Sequence, residues 1–135
     1  MDNEPQTVIL LISDSLFREG LKLLLEDMHF SVFSSGSYLE LEKLLHTCTV
    51  TPALLIFPMI LNNGKPAIEF VREVRDRFNS CIPVILLRTE NSVNQPQVTD
   101  SDLTVLPEQI KPKALRQKIN EIFNTRQVVS DQTAY

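Results

Sequence analysis

Glycine is scarce in this chain, and its three copies, Gly20, Gly36 and Gly64, are too scattered to form a G-x-G-x-x-G or Walker pattern. That removes the usual phosphate-cradling loops of nucleotide- and flavin-binding proteins. No G-x-S-x-G elbow or histidine-containing triad is visible either. Of the two cysteines, Cys48 and Cys81, neither sits in a C-x-x-C pair, so both read as buried, reduced thiols rather than as a metal or redox centre. His29 and His46 belong to no metal-ligand spacing. A basic excess is missing as well: the net charge of -4 offers no general attraction to nucleic acid or to anionic membrane surfaces. Apolar runs such as "VILLI", Val8 to Ile12, are too short to span a bilayer, and the start "MDNEPQT" lacks the basic segment of a signal peptide. We therefore expect a cytoplasmic protein with no cofactor, no metal, no membrane association and no catalytic centre.

What the chain does have is alternation of short apolar runs with amphipathic ones. "TVILLIS" is continuous and β-branched, as in a strand buried on both faces. "DSLFREGLKLLLEDM" follows with Leu16, Phe17, Gly20, Leu21, Leu24, Leu25 and Met28 at helical spacing, and Asp14 or Ser15 is available as N-cap. "FSVFSS" predicts a second strand, and "SYLELEKLLHT" a second helix through Tyr38, Leu41, Leu44 and Leu45. The intervening "SSGS" reads as a turn rather than an anion loop. "ALLIF" is the third strand, and "AIEFVREVRDRF" the third helix, with Ala67, Phe70, Val71, Val74 and Phe78 inward. Its arginines alternate with Glu73 and Asp76, which marks a solvated face rather than a nucleic-acid patch.

"PVILL" and "LTVL" supply two further strands. Between them, "RTENSVNQPQVTDSD" has few apolar residues and an internal proline, so a loop or frayed turn is expected in place of a full helix. "KPKALRQKINEIF" predicts the last helix, with Pro112 at an N1-like position and Leu115, Lys118, Ile119, Ile122 and Phe123 on one face. "NTRQVVSDQTAY" reads as a frayed end or linker. The expected division is an extension over 1–6, one domain over 7–124 and a tail or linker over 125–135. Five strands alternating with helices predict a three-layer α/β domain, a (βα)5 flavodoxin-like parallel sheet of order 2-1-3-4-5 with a degenerate fourth helix. Ligands of such sheets bind at the carboxyl ends of the strands.

The order of these elements, and above all "SDSLFREGLKLLLE", "PALLIFP", "PVILLR" and "IKPKAL", resembles the receiver domain of two-component response regulators. It is most similar to the class that precedes a LuxR-type helix-turn-helix, over roughly Thr7 to Phe123. The resemblance implies an acidic Mg²⁺-binding pair after the first strand, a phosphate-accepting Asp after the third, a switching Ser/Thr after the fourth and a Lys after the fifth. Carried over position by position, the acidic pair falls on Ile12 and Ser13, with Asp14 one place beyond. The acceptor falls on Pro58, the hydroxyl on Arg88 and the lysine on Glu108. Val105 stands where the family often has a rotating aromatic.

Mg²⁺ needs oxygen ligands, and Ile12, Ser13 and Pro58 supply almost none from their side chains. Aspartyl phosphorylation needs a carboxylate nucleophile, yet no Asp or Glu occurs anywhere from Ala53 to Pro66. The expectation is an atypical, phosphorylation-independent receiver acting by protein contact, as a homodimer or with another regulatory protein. DNA would be reached only through an output domain that these residues do not contain. The competing readings are a stand-alone adaptor and a flavodoxin-like small-ligand-binding protein. Lys113, Arg116, Gln117 and Asn120 on the last helix are candidate interface residues. Arg88 and Glu108 leave adjacent strands at one end, so they either pair and, with Ile12 and Pro58 filling the pocket, fix one conformation, or both point to water.

Overall fold

The computed structural model describes residues 6–47, 49–59, 61, 64–78, 81–88 and 103–133, with 125–133 as backbone alone. Five strands, β1 (Thr7–Leu11), β2 (Ser31–Ser35), β3 (Leu54–Pro58), β4 (Val84–Arg88) and β5 (Leu103–Pro107), form one parallel sheet of order β2-β1-β3-β4-β5. Four helices are described: α1 (Ser15–Asp27), α2 (Tyr38–Thr47), α3 (Ala67–Phe78) and α4 (Pro112–Thr133). This is the (βα)5 flavodoxin-like arrangement that the alternation predicts. The connection between β4 and β5, where a degenerate helix was expected, lies at 89–102, outside the described residues.

The near-continuous apolar strands exist because both faces of the sheet are covered. Along β1 the side chains alternate: Ile9 and Leu11 point into a core shared with α2 and α3, whereas Val8 and Leu10, followed by Ile12, point into one shared with α1 and α4. Each helix contributes its own apolar stripe, Leu41 and Leu45 from α2, Ala67, Phe70, Val71 and Val74 from α3, Leu115 and Ile119 from α4.

Helix α1 departs from the expected stripe in one respect. Leu21 and Leu25 are buried, with Phe17, Leu24 and Met28 packed around them, but Leu16 is 83% exposed and Gly20 is also on the surface. At 100° per residue Leu16 and Gly20 lie at one edge of the apolar arc, and the core engages the opposite side, around Leu21 and Leu25. Lys118 likewise faces outward, beside Glu121 at 3.7 Å, rather than joining the inner face of α4.

The stretch over 124–135, expected as a frayed end or linker, is helical as far as Thr133, where α4 ends. No Gly or Pro interrupts "NTRQVVSDQT", and extending a helix that is already nucleated costs little per residue. No described helix is long and apolar enough to cross a membrane.

Candidate functional site: the carboxyl ends of the strands

Ile12 follows β1, is 5% exposed, and donates its backbone N–H to the Ser35 carbonyl at 3.1 Å. Its side chain belongs to the core under α1 and α4. Ser13 is exposed. Asp14 is the N-cap of α1: its Oδ1 accepts from the backbone N–H groups of Leu16 at 3.0 Å and Phe17 at 3.3 Å. The acidic residue of this turn is thus engaged with helix amides that would otherwise lack partners.

A residue that sequence reasoning passed over completes the turn. Arg18 Nη1 donates to the Ile12 carbonyl at 2.7 Å and to the Ser13 carbonyl at 3.4 Å, so a guanidinium already occupies the oxygen-rich side of the loop. Gly36 makes room for it: a Cβ at position 36 would stand 2.6 Å from Arg18 Nη1. The "SSGS" turn is spent on local bonds. Ser37 Oγ accepts from the Glu40 N–H at 3.2 Å while the Glu40 carboxylate accepts from the Gly36 N–H at 3.3 Å, a reciprocal capping pair at the start of α2. Ser35 Oγ donates to the Leu10 carbonyl at 3.4 Å. The Ser-x-x-Glu spacing of Ser37 and Glu40 was the signal available for this cap; nothing comparable marked Arg18.

Pro58 is the half-buried last residue of β3, in register with Leu87 of β4. Beyond it Met59 donates its N–H to the Leu87 carbonyl at 3.0 Å and accepts from the Ala67 N–H at 2.8 Å, which ties the strand end to the start of α3. Met59 and Leu61 are both buried in the core below α2 and α3. Gly64, at φ 86°, donates to the Leu61 carbonyl at 2.8 Å, the left-handed position a side chain resists. The described residues of the loop after β3 are therefore held by backbone bonds and by the buried side chains of Met59 and Leu61.

Arg88 and Glu108 do meet, but through the backbone: the Glu108 N–H donates to the Arg88 carbonyl at 2.9 Å. Their side chains are exposed and form no ion pair; the ion pairs among the described residues join Arg116 to Asp27 and Lys118 to Glu121. The ladder of a parallel sheet alternates, and it aligns these main chains while leaving both charged groups in water. Val105 is 39% exposed on the outer strand.

Of the candidate interface residues, Lys113, Gln117 and Asn120 are exposed one turn apart on α4. Arg116 is half-buried and engaged with Asp27 at the end of α1, so it serves the chain's own packing instead of standing free. At the start of α2 the Tyr38 ring meets Phe70 edge-on at 5.1 Å. Burial pushes its phenol above the ordinary value of 10.0, and the neighbouring carboxylates of Glu42 and Glu73 push the same way.

The side chains at the aligned positions do not fit a Mg²⁺ ion. Ile12 and Pro58 bring no ligand oxygen, Asp14 is committed to the helix, and Arg18 sits on the two backbone carbonyls that face the loop. Among the described residues no three His, Cys, Asp or Glu side chains gather at one point.

No family model and no curated protein matches the sequence. The fold does match solved structures. A response regulator receiver protein from Sinorhizobium medicae is similar with a TM-score of 0.75 at 14% identity, covering 93% of this chain and 99% of that one. A receiver domain protein from Clostridium thermocellum is similar with a TM-score of 0.70 at 16% identity, over 92% of this chain and 98% of that one. The receiver domain of the hybrid histidine kinase CckA is similar with a TM-score of 0.68 at 17% identity, over 86% and 97%. At these identities the likeness is one of fold, and the fold is that of receiver domains.

Proposed function

We propose that this chain is an atypical receiver domain of a signalling or transcriptional regulator that works without phosphorylation, by contact with other protein surfaces. The observation that carries the reading is the state of the strand ends. Pro58, onto which the resemblance carries the acceptor, ends β3 without a side-chain oxygen, and the β1–α1 turn is held by Arg18 and by the Asp14 cap. Asp14 Oδ1 and the Ile12 and Ser13 carbonyls are engaged by the protein's own groups, and Ile12 and Pro58 bring no side-chain oxygen, which supports the absence of an oxygen cage to organise a phosphoryl donor. The LuxR-class character rests on "LFREGL" and the neighbouring motifs. A small-ligand-binding role finds less support, because Gly36, the amide best placed for an anion after β2, is already bonded to Glu40.

The test is spectroscopic. Amide ¹H–¹⁵N spectra recorded with and without Mg²⁺ and beryllofluoride, a phosphoryl mimic, are expected to superimpose. Saturable shifts centred on Ile12, Met59 and Glu108 would contradict the reading.

A further inference from the structure

Strand β2 is one edge of the sheet, and its outer side is open in a particular pattern. Ser31 donates to the Gln6 carbonyl at 2.9 Å and Ser35 accepts from the Ile12 N–H at 3.1 Å, so the parallel ladder to β1 uses Ser31, Phe33 and Ser35. The N–H and C=O of Val32 and Ser34 therefore point away from the sheet, four ladder groups in a row. Protected edges carry Lys, Pro or a bulge. β2 carries none: "SVFSS" is uncharged and regularly paired over its whole length. The opposite edge differs, since β5 ends in Pro107, which has no N–H to offer.

Beside the open ladder lies an apolar groove of about 240 Å³ lined by Phe33, Leu44, Thr47, Thr49 and Val50. Phe33 is 37% exposed and Val50 56% exposed. An extended strand would fit here, and the pattern of the edge is complementary to itself.

We infer that β2 is the seam of a homodimer in which two copies pair antiparallel about a two-fold axis at Phe33. In that register Val32 of each copy lies opposite Ser34 of the other, and four N–H···O=C bonds close. Phe33 then faces its own counterpart as a non-hydrogen-bonded pair, the geometry that brings cross-strand side chains closest. Two aromatic rings meet on the α2 face, against Leu44 and Val50. No charged side chain lies between Ser31 and Ser37, so two chains of net charge -4 meet without like charges at the seam. A heterologous peptide would satisfy the same ladder but would not bring a second Phe33 onto the axis. The inference deepens the protein-contact reading and rests on it for its biological meaning; phosphate uptake would defeat that reading without touching the association measured here.

Sedimentation velocity against concentration tests it. The wild type is expected to pass from monomer to dimer, and Phe33→Lys, which sets two like charges on the axis and removes the aromatic pair, to weaken association roughly tenfold or more. Val105→Lys on the other edge should leave association unchanged, and circular dichroism should show both variants folded. In a Cys48→Ser, Cys81→Ser background, Phe33→Cys should give a disulfide-linked dimer on mild oxidation, because facing residues of such a pair have Cα atoms about 4.5 Å apart. Val32→Cys alone should give none. A wild type that stays monomeric, undiminished dimerisation of Phe33→Lys, or equal cross-linking at positions 32 and 33 overturns the inference.

Discussion

Replacing Arg18 and Gly36, singly and together, probes how the β1–α1 turn is held. Arg18 makes one short, charge-assisted bond, 2.7 Å to the part-buried Ile12 carbonyl, and a second at 3.4 Å to Ser13. Hydrogen bonds to charged groups contribute about 1.5–3 kcal/mol, and the partial exposure of Arg18 lowers the expectation for Arg18→Ala to about 1–2 kcal/mol. Gly36→Ala acts on the same bond from across the turn, because the new Cβ stands 2.6 Å from Nη1 and 3.3 Å from Cζ and must displace the guanidinium. The backbone itself tolerates alanine there, since Gly64 has a positive φ and Gly36 does not.

In the Arg18→Ala background the clash is gone, and Gly36→Ala should stabilise by about 0.4–1 kcal/mol through the unfolded chain alone. The substitution thus changes sign with its background, and the coupling is the value of the displaced bonds, about 1–2 kcal/mol. Urea denaturation of the four proteins, with equal m-values, reads it directly. Additivity within about 0.3 kcal/mol would refute the placement of Arg18 against Gly36.

Two further outcomes follow from named contacts. Asp14→Ala removes the oxygen that caps Leu16 and Phe17 and should cost about 1 kcal/mol in urea denaturation, while Asp14→Ser, a competent cap, should cost much less. Tyr38 and Tyr135 are the two tyrosines. In Tyr135→Phe, absorbance titration near 295 nm should show Tyr38 ionising above the ordinary 10.0. Because the folded value is raised above the unfolded one, its contribution to stability is complete below pH 10 and is lost as pH climbs through the folded value, so Tyr38→Phe should flatten that alkaline limb.

The sheet was legible because strands buried on both faces leave nearly unbroken apolar runs, and β1, β3 and β4 each carry one. The helices were legible by period, with α3 matching its predicted inner face residue for residue among Ala67, Phe70, Val71 and Val74. Leu16 misled because periodicity gives an arc and not its limits. The run of α4 to Thr133 was missed because its last stretch has no apolar stripe, and helix continuation there depends on the absence of breakers.

At the strand ends, the absence of carboxylates at Ile12, Ser13 and Pro58 is plain in the sequence. What replaced them could not be read. Arg18 acts through a bond to backbone carbonyls six and five residues earlier, and such a bond has no side-chain signature. Strand order puts Arg88 and Glu108 at one end of neighbouring strands, but the side-chain pair does not form: both side chains point to water and only the main chains meet, which is set by the phase of the ladder and not encoded in composition.

Intact mass of the purified protein after incubation with acetyl phosphate and Mg²⁺ tests the central claim most directly. The account predicts the mass of the untreated chain at every time point. Gain of one phosphoryl group, lost again on treatment with hydroxylamine as an acyl phosphate would be, would contradict it.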